Sequence, residues 1–193
     1  MEDCPAERGC LLSAIELHVG ILANPGSTDR EKLEALKYLG HWIGDLHQPL
    51  HIGYMTGRGG NDNHVIWQAS ALPVSPFLLN PRETNMHRVW DHEMLDDLRL
   101  QPYHYATRLW MALSDEERSE WGGMDAVPWA QESRDIGTAI ETQYFPVDPD
   151  GPRPEPLVLG PEYLQQHWPT LESRLKKAGV RLGYMLNQLL VKQ

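Results

Sequence analysis

Two segments of this 193-residue chain gather side chains that bind divalent metals: His41, Asp45, His47 and His51 in one, His87 and Asp91 in the other. On a helix, positions four apart lie on one face, so His41 stands over Asp45 and His87 over Asp91, each pair presenting an imidazole and a carboxylate in one direction. Zinc takes such nitrogen and oxygen donors, and a hydrolytic zinc needs about three protein ligands with one position left for water. A lone His and Asp at this spacing also occurs as an ion pair that stabilises a helix. The second pair, and His51 just beyond the first, favour the metal reading. Pro49 ends the first helix, because proline lacks an amide donor and restricts the residue before it, and the chain there can turn His51 back toward the helix face.

The elements that must hold these groups read as helices nearly throughout. Apolar residues at helical spacing run from about Cys10 to Leu22 and stop at Asn24-Pro25-Gly26. Thr28 with Glu31 forms a capping box that opens the helix carrying His41 and Asp45. Gly40 and Gly44 leave a bare strip on that helix, suited to close backbone packing. Gly53 to Asn63 reads as a polar loop, in which Asn61 and Asp62 are candidate substrate contacts, although solvated loop residues have the same composition. A helix is expected from about Arg82 to Leu98, carrying His87 and Asp91, with His92 on its surface. Ser114 and Glu117 form a second capping box, and Pro128 occupies a first helical position before Trp129 to Tyr144. Pro146 to Pro161 reads as a surface crossover. The last helix shows Leu171, Leu175, Ala178, Leu182, Met185 and Leu189 at spacings of three and four, which is a core stripe.

The chain is long enough for one domain with a substantial core, and it carries no internal repeat. No apolar stretch reaches bilayer length, and no charged-then-apolar leader follows Met1. A formal net charge of −10 argues against a broad nucleic-acid-binding face, since phosphate contacts demand basic residues. Bound zinc reverses this locally by adding two positive charges per ion, so short, local phosphate binding remains open. No Gly-rich phosphate loop, serine triad or CxxC motif is present.

The segment from Tyr38 to Trp67, with GHWIGDLHQPLHIGY followed by GRGGNDN, and the segment NMHRVWDHEML from Asn85 to Leu95 closely resemble the S1/P1 nuclease family. The start at Asp3-Cys4 and Cys10, the stretch WAQES from Trp129 to Ser133, and AGVRLGYMLNQLL from Ala178 to Leu190 extend the likeness along the chain. The resemblance implies the all-α, single-domain phospholipase C/nuclease fold. It further implies a secreted or periplasmic monomer that uses three zinc ions to hydrolyse single-stranded DNA and RNA, and 3′-nucleotides, to 5′-phosphate products. Carried over residue by residue, His41 resembles a ligand of the first zinc. Asp45 resembles the carboxylate bridging the first and third ions, between which lies the nucleophilic water. His51, His87 and Asp91 resemble the whole protein ligand set of the second. His47 matches no ligand and is expected behind the site or in the core; His18, in an apolar helix, matches none either. A Cys4–Cys10 disulfide is implied by the resemblance, whereas sequence alone leaves two reduced thiols equally open.

The family's N-terminal tryptophan, and the two histidines and aspartate that complete its first and third sites, have no counterpart here. The chain is therefore expected to enter the family pattern part way through, with one complete zinc set and one partial set. Impaired catalysis is one alternative reading. A phospholipid head group as substrate, as in the related phospholipase C branch, is another.

Overall fold

A computed structural model of the chain describes residues 10–52, 57–68, 81–98, 100–145 and 156–190. The fold is all-α with one small sheet. The described residues fall into two compact units: those up to His47 with Leu113–Glu132 and the chain from Leu175 onward, and those from Gln48 to Ala112 with Ser133–Arg174.

In the first unit, α1 (Leu11–Ala23) packs on α2 (Asp29–His47). Ile15 and Leu22 of α1, and Ala35, Leu39, Ile43 and Leu46 of α2, are all at most 2 % exposed. Each large aliphatic side chain so buried contributes about 1.5–3 kcal/mol. The expected capping box opens α2: Thr28 N–H donates to Glu31 Oε2 at 2.7 Å and Glu31 N–H to Thr28 Oγ1 at 3.3 Å. His18 is structural. Its Nδ1 donates to the Ala14 carbonyl at 2.6 Å, and its ring lies 5.2 Å from that of Tyr38. The expected close packing at the α2 glycines is not found among the described residues. A Cβ on Gly40 would meet only the Leu182 side chain at 3.9 Å, and one on Gly44, which faces solvent, nothing within 4 Å.

Two of the sequence motifs meet in this unit. Arg181, 4 % exposed on α9 (Pro161–Leu190), forms a forked pair with Glu132 at 2.7 and 2.9 Å, and Lys177 joins the carboxylate at 3.2 Å. Glu132 and Trp129 belong to α8 (Val127–Tyr144), and the guanidinium lies 4.9 Å from the Trp129 ring centre. Arg181 also donates to His47 Nε2 at 2.8 Å, while His47 Nδ1 donates to the Ile43 carbonyl at 2.7 Å. Both ring nitrogens of His47 are thus engaged in the core, where it is 3 % exposed. The same unit holds α7 (Asp115–Glu120), whose Ser114–Glu117 capping box forms as expected.

The second unit corrects two expectations. Arg82–Asn85 is not the start of a helix but strand β2, which pairs antiparallel with β1 (His64–Trp67); β3 (Leu157–Leu159) pairs parallel on the other side, within the expected crossover. Helix begins only at Met86, after Asn85 accepts the Arg88 N–H at 2.8 Å as its cap. It runs through α4 (Met86–Arg88), a π turn (Val89–Glu93) and α5 (Met94–Asp96). The sheet buries Val65, Trp67 and Leu159. Tyr163 anchors the helices beside it, accepting from Trp90 Nε1 at 2.9 Å and donating to Met86 Sδ at 3.3 Å. Asp97, which accepts Trp67 Nε1 at 2.7 Å and pairs with Arg82 at 2.9 Å, ties the end of this run to the strands. Glu93 of the π turn is buried yet paired, with Arg82 and Arg88 each at 3.2 Å. The unit also contains the single-turn α3 (Pro49–Ile52) and α6 (Pro102–Met111).

Candidate metal centre

Pro49 at the head of α3 stops α2 after His47, and two residues on, α3 presents His51. His87 comes from α4 and Asp91 from the π turn that follows it. The two rings stack with centres 4.9 Å apart and planes 10° apart. His51 Nε2 lies 3.3 Å from Asp91 Oδ1, and His87 Nε2 lies 3.3 Å from Asp91 Oδ2. One donor atom from each residue falls within 4.8 Å of the others, and among the described residues this is the set of three that can hold a metal ion.

The surroundings fix the donor chemistry. His87 Nδ1 contacts the Gly59 carbonyl oxygen at 2.8 Å; a carbonyl only accepts, so the proton sits on Nδ1 and Nε2 is left to bind a cation. An unprotonated nitrogen facing a carboxylate oxygen at 3.3 Å places two acceptors opposite each other, an arrangement that a proton or a metal ion relieves. The residues therefore fit a divalent cation with oxygen and nitrogen preferences, and two imidazoles with one carboxylate is a zinc-type set with open positions. Half-burial opposes ionisation of Asp91. The Gln48 amide and, once they are protonated, the His51 and His87 rings outweigh it and hold the carboxyl well below the usual carboxylate range.

Gly59 reaches His87 through a left-handed turn. Gly57, Arg58, Gly59 and Gly60 all have positive φ, at 103°, 55°, 66° and 87°. A Cβ at Gly59 would lie 2.5 Å from the Leu50 carbonyl oxygen, so glycine is required there on two grounds. Asn61 and Asp62 serve this turn: Asn61 Nδ2 donates to the Arg58 carbonyl at 2.9 Å, and Asp62 pairs with Arg58 at 2.7 Å.

In the first unit, His41 and Asp45 form a separate pair on α2, Nε2 to Oδ2 at 3.4 Å, with side chains 62 % and 26 % exposed. His92 is exposed, as expected. Cys10 occupies the position just before α1, and Cys4 lies outside the described residues. Sequence reasoning missed Gln48 and Gly59, which contact the ligands from outside. The placement of Gln48 between the helix end and Pro49, and the run of glycines at Gly57, Gly59 and Gly60, were the available signals.

An all-α scaffold with a His/Asp cluster that could hold a divalent cation is thus the class that the fold and site define. The S1/P1 Nuclease family profile matches residues 1–191, and the chain belongs to that family. It is 30 % identical to Endonuclease 4 of Arabidopsis thaliana over 168 residues, covering 81 % of this chain and 50 % of that protein. To Endonuclease 3 of the same plant it is 28 % identical over 205 residues, covering 97 % and 63 %. To Nuclease S1 of Aspergillus oryzae it is 35 % identical over 95 residues, covering 49 % and 28 %. The chain spans about half the length of the first of these relatives.

Proposed function

We propose that this chain forms one nuclease domain, zinc-dependent and monomeric, that hydrolyses single-stranded DNA and RNA to products with 5′-phosphates and removes phosphate from 3′-nucleotides. The convergence of His51 Nε2, His87 Nε2 and the Asp91 carboxylate, in a chain of the S1/P1 nuclease family, carries the reading. Zinc held there would supply two positive charges to offset the negative charge developing on a phosphate ester. The chain's own part is orientation. Gly59 holds the His87 tautomer, the π turn holds Asp91 against both imidazoles, and the one-turn helix after Pro49 fixes His51.

The family resemblance assigns His41 to the first zinc and gives Asp45 a carboxylate shared by the first and third; both lie on an accessible side of α2. Asn61 and Asp62 are assigned to the rim that substrate passes. With a net charge of −10, phosphate binding is confined to the metal centre. Flexible single strands reach such a point charge more readily than a rigid duplex does. Secretion and a Cys4–Cys10 disulfide belong to the same reading; among the described residues, no helix is long and apolar enough to cross a membrane.

The test starts from metal-free protein and returns zinc stepwise while cleavage of end-labelled single-stranded DNA is followed. Cleavage that appears with zinc, yields 5′-phosphate ends and is lost in Asp45→Asn and Asp91→Asn with the fold retained supports the proposal. Cleavage that survives chelation refutes it, as does preferential release of phosphorylated head groups from phospholipid vesicles. Zinc uptake without any cleavage identifies a chain that binds metal but does not turn over.

A further inference from the structure

Gln48 occupies a position where its side chain does two things at once. It is the residue before Pro49, and its Oε1 accepts the Leu50 N–H, which caps the one-turn helix α3 that carries His51. Helix caps of this kind normally come from Ser, Thr, Asp or Asn, whose short side chains reach only the local backbone. Glutamine is longer by a methylene than asparagine. Because the Leu50 N–H requires an acceptor, the amide cannot be reversed, and Nε2 must point the other way. It does so onto Asp91 Oδ1 at 2.7 Å, across 43 residues of sequence.

We infer that Gln48 is a positioning residue for the metal centre: one amide clamps the element bearing His51 to the carboxylate of Asp91 and sets which way that carboxylate faces. The inference rests on the zinc reading above. Oδ1 already receives the Gln48 donor and faces His51 Nε2 at 3.3 Å, whereas Oδ2 faces His87 Nε2 at 3.3 Å. Without the amide, Asp91 is free to rotate about its own side-chain bonds and α3 loses its cap contact. Both ligand-bearing segments then have to be ordered by the metal, which weakens binding. Partners that hold metal ligands from behind typically account for about 10–100-fold in metal affinity.

Gln48→Asn separates the two contacts, because asparagine retains the capping chemistry and lacks the reach to Asp91. Zinc affinity of the full chain is measured by competition with a chromophoric chelator. The ligand-field spectrum of the Co2+-loaded chain and the melting temperature of the metal-free chain are recorded alongside. The expected result is about tenfold weaker zinc binding and an altered Co2+ spectrum, with the metal-free melting temperature lowered only by the loss of one hydrogen bond. Placed on an Asp91→Ala background, the same substitution is expected to leave zinc affinity unchanged, and that background also subtracts zinc held elsewhere on the chain. Equal zinc affinity in Gln48→Asn and wild type, or an equal loss on both backgrounds, overturns the inference. Should Gln48→Asn not yield folded protein, Gln48→Met, of matching length without either polar atom, carries the same comparison. Wild-type chain that binds zinc but cleaves nothing sinks the nuclease reading alone; wild-type chain that binds no zinc sinks both.

Discussion

Replacing Gly59 with alanine tests whether the left-handed turn is a structural requirement of the metal centre. At φ 66° an L-side chain costs about 1–2 kcal/mol. The added methyl would also stand 2.5 Å from the Leu50 carbonyl oxygen, a backbone atom of the element that carries His51, so either the turn or α3 must move. Forced displacement of well-packed groups costs a further ~1–3 kcal/mol. The sum is about 2–5 kcal/mol, which for a chain of this size lowers the melting temperature by roughly 4–20 °C. The control is Gly179→Ala on α9, where a Cβ meets nothing within 4 Å among the described residues and the helix gains about 0.5–1 kcal/mol. Thermal unfolding followed by circular dichroism in the presence of a chelator isolates the turn from the metal. A Gly59→Ala chain that melts at or above the wild-type temperature refutes the assignment of the turn, because neither the strain nor the clash could then be real.

Three further outcomes are expected. Adding zinc at about 100 times its dissociation constant should stabilise the wild-type chain by about 2.7 kcal/mol, and Asp91→Asn should remove most of that gain, read as the melting temperature with and without chelator. Burial raises the Tyr163 phenol well above its ordinary 10.0, against a smaller lowering by the Trp90 hydrogen bond. The folded state therefore holds that proton more tightly than the unfolded chain does, so stability is intact below pH 10 and falls above it, by up to about 1.4 kcal/mol per pH unit. Tyr163→Phe should flatten this alkaline slope in unfolding curves taken between pH 9 and 11; an unchanged slope would show that the phenol is not buried as described. Ser114→Ala removes the exposed capping box of α7 and should cost about 1 kcal/mol in denaturant unfolding, with no effect on zinc affinity.

What could be read from the sequence was what depends on neighbours along the chain. The Thr28 and Ser114 capping boxes, the stop at Pro25 and the stop at Pro49 are all local chemistry, and each appears where the residues placed it. The His87 and Asp91 spacing was equally local. The sheet was not readable in this way: its strands span only three or four residues, and Arg82–Asn85 carries no apolar alternation, since its pairing with His64–Trp67 decides its conformation. The same holds for the supports of the site. Gln48 meets Asp91 across 43 residues and Gly59 meets His87 across 28, so neither contact leaves a periodic trace. A place behind the site or in the core was expected for His47, and the core is where it lies, but the cause, a guanidinium delivered by Arg181 from 134 residues away, was not.

The turn at Gly57–Gly60 has a further consequence for how occupancy of the centre is sensed. Three glycines give the unfolded turn unusual freedom, so ordering it costs more backbone entropy than for an ordinary loop. Its closure is recorded in the amides of Asp62 and Asn63, which donate to the carbonyls of Gly57 and Gly60 at 3.1 and 3.2 Å. The Gly59 carbonyl in the same turn is bonded to the imidazole ring that faces the centre. A cation gripping Nε2 of that ring stiffens Nδ1 as well, and through it the turn. If the centre takes a cation as proposed, exchange at these two amides is expected to slow on metal addition, a readout by hydrogen exchange that needs no label, dye or substrate.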